Sequence, residues 1–247
     1  MTYVNPPRES PKNIFHGIFY SHVLNHEIGY NIYLPPDYTE GKQRYPIVYH
    51  IHGWQGNESS DIWRMERAYR NRQAITVFIN AISSECEYFN ALWQIESMFI
   101  KELIPHVDEK YRTNKSKMLS GFSMGGAMAF YYAVKYSEIF CSVTPYAGTY
   151  HHQYRDYQGV GEPPEMAIVL YEKMMTEKRY LEENNILYMV RQNADKIRGN
   201  LYIDIRIGIN DILFCENEIM HLYLNSLNIP HEYKKFVNVG HELDKLL

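Results

Sequence analysis

The run Lys117-Met118-Leu119-Ser120-Gly121-Phe122-Ser123-Met124-Gly125-Gly126-Ala127 constrains this chain more than any other stretch. It reads as a short apolar strand, then Gly-x-Ser-x-Gly, then the start of a helix. That order is the one a nucleophile elbow needs, with the serine in strained backbone geometry at a sharp strand-to-helix turn. Gly121 and Gly125 flank Ser123 where side chains would collide with the neighbouring strand and helix. Gly126, Ala127 and Ala129 continue a small face, so the helix can lie close on a sheet.

The rest of the chain supplies the sheet. Ile18–Tyr20 and Tyr30–Leu34 read as a hairpin at a sheet edge, after a loose arm over residues 1–15. Tyr45–Ile51 is a continuous β-prone run, as expected of a strand buried on both faces. Ser60 or Asp61 is placed to cap a helix reaching Ala74. Ile75–Ile79 reads as a further buried strand. The 93–110 stretch is helical in pattern, with Ile95, Phe99, Leu103 and Val107 on one side and a kink expected near Pro105. After the elbow helix (Met124 to about Tyr136) come strands at Ser142–Tyr146, Leu201–Gly208 and His231–Val237. A helix at Glu216–Leu227 and a last helical turn at Glu242–Leu247 complete the pattern. Residues 150–199 read as a cap-like excursion over the carboxyl edge of the sheet, with one or two packing helices. Strands alternating with helices predict one α/β domain over residues 1–247, built on a mostly parallel sheet.

Composition excludes several classes. The net charge of -4, from 29 acidic and 25 basic residues, offers no basic excess to neutralise nucleic-acid phosphates. Neither Met1–Lys12 nor any later run has the apolar length of a signal core or a bilayer span, so a cytoplasmic protein without a membrane partner is expected. Cys86, Cys141 and Cys215 are too few and too scattered for a disulfide framework or a Cys-rich zinc site. The 23 tyrosines suit either a cleft for aromatic or sugar-bearing ligands or an ordinary strand-rich core.

A serine hydroxyl needs a base to take its proton, and the base needs an orienting acid. The candidates follow the order Ser, acid, His, each just past the carboxyl end of a strand. His241, in Val239-Gly240-His241-Glu242, follows the last strand. Asp211, in Gly208-Ile209-Asn210-Asp211, follows the strand before it; the competing reading is an Asx-turn residue. Asp204, Glu216 and Glu218 are weaker rivals, being inside a strand or on a helix. Two backbone donors are needed for a developing oxyanion. The Met124 N–H comes with the elbow, and the Trp54 N–H comes from the loop His52-Gly53-Trp54 after the early central strand. His52, Gly53, Tyr150 and His151 are candidate substrate contacts. His50 and His52 point to one face of a strand, but no carboxylate or cysteine completes a metal site at the usual spacing, so neither metal nor cofactor is expected.

With these residues placed, the chain resembles the esterase D-like family of α/β-hydrolases, which includes feruloyl and acetylxylan esterases and S-formylglutathione hydrolases. The resemblance is carried by Tyr33-Leu34-Pro35-Pro36-Asp37-Tyr38 and by His52-Gly53 with Asn57-Glu58. It continues through Glu102-Leu103-Ile104-Pro105-His106-Val107 with Tyr111-Arg112, and through Gly121-Phe122-Ser123-Met124-Gly125-Gly126. Gly208-Ile209-Asn210-Asp211 and Gly240-His241 complete it. The resemblance implies an α/β-hydrolase fold, a sheet of about eight strands with helices on both faces. It also implies hydrolysis of feruloyl or acetyl esters of carbohydrates, or of similar small esters, through an acyl-enzyme on Ser123, His241 and Asp211. Acyl transfer by the same residues, thioester hydrolysis of the S-formylglutathione type and a non-catalytic binding module are the alternatives. A homo-oligomer is compatible with the sequence. Glu242 stands where many members have Asp, and residues 150–199 align with nothing in the family pattern.

Overall fold

A computed structural model describes residues 3–81, 94–150 and 185–247 of the 247-residue chain. Eight strands form one sheet: β1 (Ile14–Ser21), β2 (His26–Tyr33), β3 (Tyr45–Ile51), β4 (Ile75–Ile79), β5 (Thr113–Phe122), β6 (Phe140–Tyr146), β7 (Tyr202–Gly208) and β8 (Glu232–Phe236). Their spatial order is β1-β2-β4-β3-β5-β6-β7-β8. β1, β2 and β4 pair antiparallel at one end, and every pairing from β4 to β8 is parallel. This is the mostly parallel α/β sheet that the pattern predicts and the α/β-hydrolase fold that the family resemblance implies.

The order of strands decides where a site can lie. From β3 the chain moves to β4 on one flank, then returns to place β5 on the other and continues outward to β8. Loops leaving the carboxyl ends of β3 and β5 therefore diverge to opposite sides and open a crevice between them. The register sets Ile51 beside Gly121, so both strands end level with each other.

β3 is buried on both faces because successive side chains alternate between them. Ile47, Tyr49 and Ile51 join the larger core with Ile75, Val77 and Ile79 of β4. That face is covered by α2 (Ile104–Lys110), α3 (Met124–Lys135) and α6 (Phe214–Ser226), through Val107, Ala129, Ala133, Met220 and Leu224. The opposite face is covered by Met65 and by Tyr69 of α1 (Glu66–Arg70), packed with Phe78, Phe122 and Tyr146. Each fully buried large apolar side chain contributes roughly 1.5–3 kcal/mol relative to exposure. Tyr30, Tyr49, Tyr69, Tyr132, Tyr146 and Tyr150 are all buried, so much of the tyrosine wealth belongs to the core.

Two local expectations need correction, and a third takes a specific form. The arm over residues 3–13 is not loose. The Tyr3 carbonyl accepts from Gly29 N–H at 2.8 Å, the Tyr3 ring stacks on His26, and Asn5 donates through backbone and side chain to Glu58. The helix expected from Ser60 to Ala74 shrinks to Glu66–Arg70, because the Asp61 side chain turns inward to His50 instead of capping. The kink near Pro105 takes the form of a π-helical turn, Phe99–Leu103, in which Ile104 N–H donates to the Phe99 carbonyl. Proline lacks an N–H and its ring crowds the carbonyl four residues back, and the wider turn absorbs both effects. Of the expected excursion over 150–199, residues 151–184 lie outside the described residues. The remainder holds the two packing helices α4 (Ile186–Gln192) and α5 (Ala194–Ile197).

Candidate active site

Ser123 sits between β5 and α3 at φ 56° and ψ -118°, a conformation that a non-glycine residue holds only under external constraint. The constraint is visible. Ser123 N–H donates to the Tyr146 carbonyl at 2.9 Å, and the Ser123 carbonyl accepts from Ala127 at 3.1 Å and Thr149 at 3.2 Å. The end of β6 and the first turn of α3 thus clamp the turn from both sides. The glycines make the clamp sterically feasible. A Cβ on Gly125 would stand 2.1 Å from the Ile51 carbonyl oxygen, and one on Gly121 would stand 2.1 Å from that of Gly125.

Asp211 and His241 come from the loops after β7 and β8, which are stitched together. Ile209 N–H donates to the Phe236 carbonyl at 2.9 Å and Asn210 N–H to that of Val239 at 3.0 Å. The result is a 2.8 Å contact between His241 Nδ1 and Asp211 Oδ2, with the Asp211 side chain fully buried. The second carboxylate oxygen accepts from Leu213 N–H at 2.8 Å. One oxygen therefore makes the Asx-turn contact and the other meets the imidazole. A carboxylate on Nδ1 keeps the proton there and leaves Nε2 as the basic nitrogen. The His241 ring lies 4.5 Å from the Phe122 ring, and His241 and Ser123 line the same cleft of about 480 Å³.

The loop after β3 forms the other wall. A Cβ on Gly53 would be 3.6 Å from Ser123 Cβ, so this backbone runs directly against the elbow. Trp54 lines the cleft and is half-exposed. Met124 opens α3, where backbone N–H groups have no intrahelical acceptor. The structure thus brings Gly53, Trp54, Ser123 and His241 to one crevice, with Asp211 buried behind His241 and Met124 next to Ser123 at the start of α3.

Two other candidates are placed differently. His52 is buried, and both its ring nitrogens are engaged within the protein. Ala81 N–H donates to Nε2 at 3.0 Å, which puts the proton on Nδ1, and that N–H donates to the Gly53 carbonyl at 2.7 Å. Burial holds its pKa below the ordinary histidine value despite the Gly53 hydrogen bond. The ring pins the loop from beneath. Tyr150 is buried against Phe130, ring centroids 5.5 Å apart, and does not line the cleft. His151 lies outside the described residues.

The sequence reading missed a buried polar chain behind the cleft. His50 Nδ1 meets Ser120 Oγ at 3.0 Å, and His50 Nε2 meets Asp61 Oδ2 at 3.1 Å. Arg64 Nη1 donates to Asp61 Oδ1 at 3.3 Å. Burial opposes the charge on Asp61, but the hydrogen bond from His50 and the nearby Arg64 outweigh it and hold the carboxyl below its usual range. The signal was present: a histidine within an apolar strand must find a partner. Among the described residues no group of three or more His, Cys, Asp and Glu side chains could hold a metal, and no helix is long and apolar enough to cross a membrane.

A strained serine at the switch point of an eight-stranded sheet, in a cleft shared with a histidine–aspartate pair, defines a protein of the α/β-hydrolase class. Residues 21–211 match the family model described as Putative esterase, and the chain belongs to that family. It is 27% identical over 155 residues to Esterase MT1326 of Mycobacterium tuberculosis, covering 57% of this chain and 33% of that protein. It is 31% identical over 119 residues to an endo-1,4-beta-xylanase/feruloyl esterase of Xylanibacter ruminicola, covering 39% of this chain and 16% of that protein. The chain therefore spans a third or less of the length of these curated relatives. The solved structure of a ferulic acid esterase superposes with a TM-score of 0.76 at 22% identity, covering 94% of this chain and 92% of that one.

Proposed function

We propose that this protein is a serine carboxylic ester hydrolase working through an acyl-enzyme. The observation that carries the reading is the 2.8 Å His241 Nδ1–Asp211 Oδ2 contact, in a cleft shared with a serine held at φ 56°. Ser123 Oγ attacks the ester carbonyl while His241 Nε2 takes its proton. His241 then returns that proton to the leaving alkoxide, and the C–O bond breaks to give the acyl-enzyme. Asp211 keeps the imidazole in the required tautomer and stabilises the imidazolium formed in each half-reaction. The backbone N–H groups of Trp54 and Met124 receive the charge on the carbonyl oxygen, where one such donor contributes roughly 3–4 kcal/mol. A water activated by His241 completes the cycle by releasing the acid.

For the substrate, feruloyl or acetyl esters of carbohydrates are the reading we favour. The feruloyl-esterase names of a curated relative and of a structural neighbour support it. The half-exposed Trp54 on the cleft wall supports it too, since an indole face suits an aromatic acyl group or a sugar ring. The test is hydrolysis of methyl ferulate, acetylated xylan and 4-nitrophenyl acetate by the wild type and by Ser123→Ala, with a fluorophosphonate label as an independent probe of the serine. The expected outcome is loss of both turnover and labelling in the folded variant. Undiminished turnover by Ser123→Ala would remove Ser123 from the mechanism.

A further inference from the structure

We propose that Arg64 is an anion anchor on the wall of the cleft, so that the favoured ester carries a carboxylate close to the reacting bond. The proposal rests on the reading that Ser123 and His241 mark the reacting end of that cleft, and it asks of the substrate a carboxylate that neither a feruloyl nor an acetyl group supplies, so the charge sits on the alcohol part or in a different acyl group.

The starting point is the pair of buried ionisable groups that the reaction above does not use. His50 and Asp61 are 1% and 2% exposed. Burying an ionised carboxylate costs several kcal/mol of desolvation, and well-packed apolar side chains of similar size would usually serve a core at least as well. The pair does have a third member. Asp61 divides its two oxygens, Oδ2 to His50 at 3.1 Å and Oδ1 to Arg64 at 3.3 Å. His50 is held from behind by Ser120 Oγ, in the strand that leads to Ser123. A carboxylate fixed to the sheet in this way tethers the Arg64 guanidinium to one place.

That place is the cleft. Arg64 lines it with Ser123, His241 and Trp54, and its side chain is 56% exposed. Neutralising Asp61 alone would favour a buried, two-pronged contact, because guanidinium and carboxylate match as parallel forks. Here a single nitrogen makes one longer contact, and no other acceptor among the described residues meets the group. Its remaining donors are available to a ligand, and a fork of this kind recognises a carboxylate. The other side chains lining the cleft, apart from Asp61 and His241, carry no charge. The protein as a whole bears a net charge of -4, so its overall field does not attract anions. A preference for an anionic ester would therefore have to arise locally, with Asp61 acting as the positioning residue.

The carboxylate could belong to the acyl part or to the alcohol part of the ester, and matched pairs separate these. On the alcohol side the pair is the acetyl esters of 4-hydroxybenzoate and of neutral 4-hydroxybenzamide. On the acyl side it is mono(4-nitrophenyl) adipate and 4-nitrophenyl pentanoate. The wild type should favour the anionic member of one pair in kcat/KM by about tenfold at low salt, through KM rather than kcat. Arg64→Gln should bring that ratio close to one, Arg64→Lys should keep part of it, and Asp61→Asn should lower it by loosening the tether. Added sodium chloride should shrink the wild-type preference. A wild-type ratio near or below one in both pairs overturns the proposal, as does a ratio that Arg64→Gln leaves intact. If no ester is hydrolysed at all, the failure belongs to the proposed activity. Calorimetric titration of the Ser123→Ala protein with both matched pairs then decides this proposal by itself, and equal binding within both pairs overturns it.

Discussion

Replacing Asp211 with Asn is the most discriminating perturbation of the proposed mechanism. The two Asp211 oxygens do different work, Oδ1 accepting from Leu213 N–H at 2.8 Å and Oδ2 meeting His241 Nδ1 at 2.8 Å. Asparagine can keep its carbonyl on one donor only. If the amide oxygen stays with Leu213, the NH2 group faces Nδ1, and the imidazole must move its proton to Nε2 to accept from it. A protonated Nε2 cannot take the proton of Ser123. The expected loss in kcat is about 10⁴-fold, or ~5.5 kcal/mol of transition-state stabilisation. Stability should change far less, by ~1–3 kcal/mol, because one charge-assisted hydrogen bond is replaced by a neutral one. The assay is steady-state hydrolysis of 4-nitrophenyl acetate at neutral pH, with urea unfolding on the same samples. Asp204→Asn is the control. Asp204 is buried but engaged with Arg206 at 2.9 Å and Lys234 at 3.2 Å, so that variant should lose stability while keeping kcat within a few-fold. If Asp211→Asn keeps kcat within threefold, or Asp204→Asn shows the larger kinetic loss, the assignment of the acid is wrong.

Three further predictions follow from single positions. Ser123→Gly should abolish turnover yet raise unfolding stability by about 1 kcal/mol, because glycine accepts φ 56° without strain; a drop in urea midpoint would contradict the strain argument. Gly125→Ala should cost ~3 kcal/mol or more, since its Cβ would stand 2.1 Å from a backbone oxygen of β3, and a thermal melt within two degrees of wild type would contradict the geometry. His52 has a folded pKa below its unfolded value of about 6.5. The unfolded chain therefore binds the proton first, and the stabilisation is complete above about pH 6.5 and shrinks as pH falls towards the folded pKa. Urea unfolding at pH 7.5 and 5.5 should show a steeper acid loss in the wild type than in His52→Gln, and parallel behaviour would remove His52 from the linkage.

The parts of this structure legible in the sequence are those fixed by short-range rules. Tyr45–Ile51 had to be a doubly buried strand because it has no polar alternation, and Gly-x-Ser-x-Gly after an apolar run could hardly be anything but a sharp turn. The chain order that singled out Asp211 and His241 led to two residues in contact, although nothing local to either loop predicts the pairing. The misreadings came from contacts distant in sequence. The polar, Pro-rich composition of the arm says nothing about Glu58 or Gly29, which hold Asn5 and Tyr3. For His52 the position beside Gly53 is visible in the sequence, while the N–H of Ala81 that occupies its second nitrogen is not.

Asp61 shows the same limit and explains a departure in the fold. By local rules Ser60 or Asp61 caps a helix here, since the side-chain oxygen of either accepts from first-turn N–H groups. The cap contributes ~1 kcal/mol, whereas leaving His50 buried without a partner would cost 1–3 kcal/mol for the unsatisfied ring nitrogen. The larger demand wins. Asp61 turns inward, and the helix expected over Ser60–Ala74 contracts to Glu66–Arg70. The irregular turns that remain carry Ser60, Asp61 and Arg64 onto the cleft wall, where a regular helix begun at Ser60 would have followed a different path. A local preference surrendered to satisfy the core thus gives this cleft its cation, and the charge pairs tested on Arg64 measure whether that cation selects the substrate.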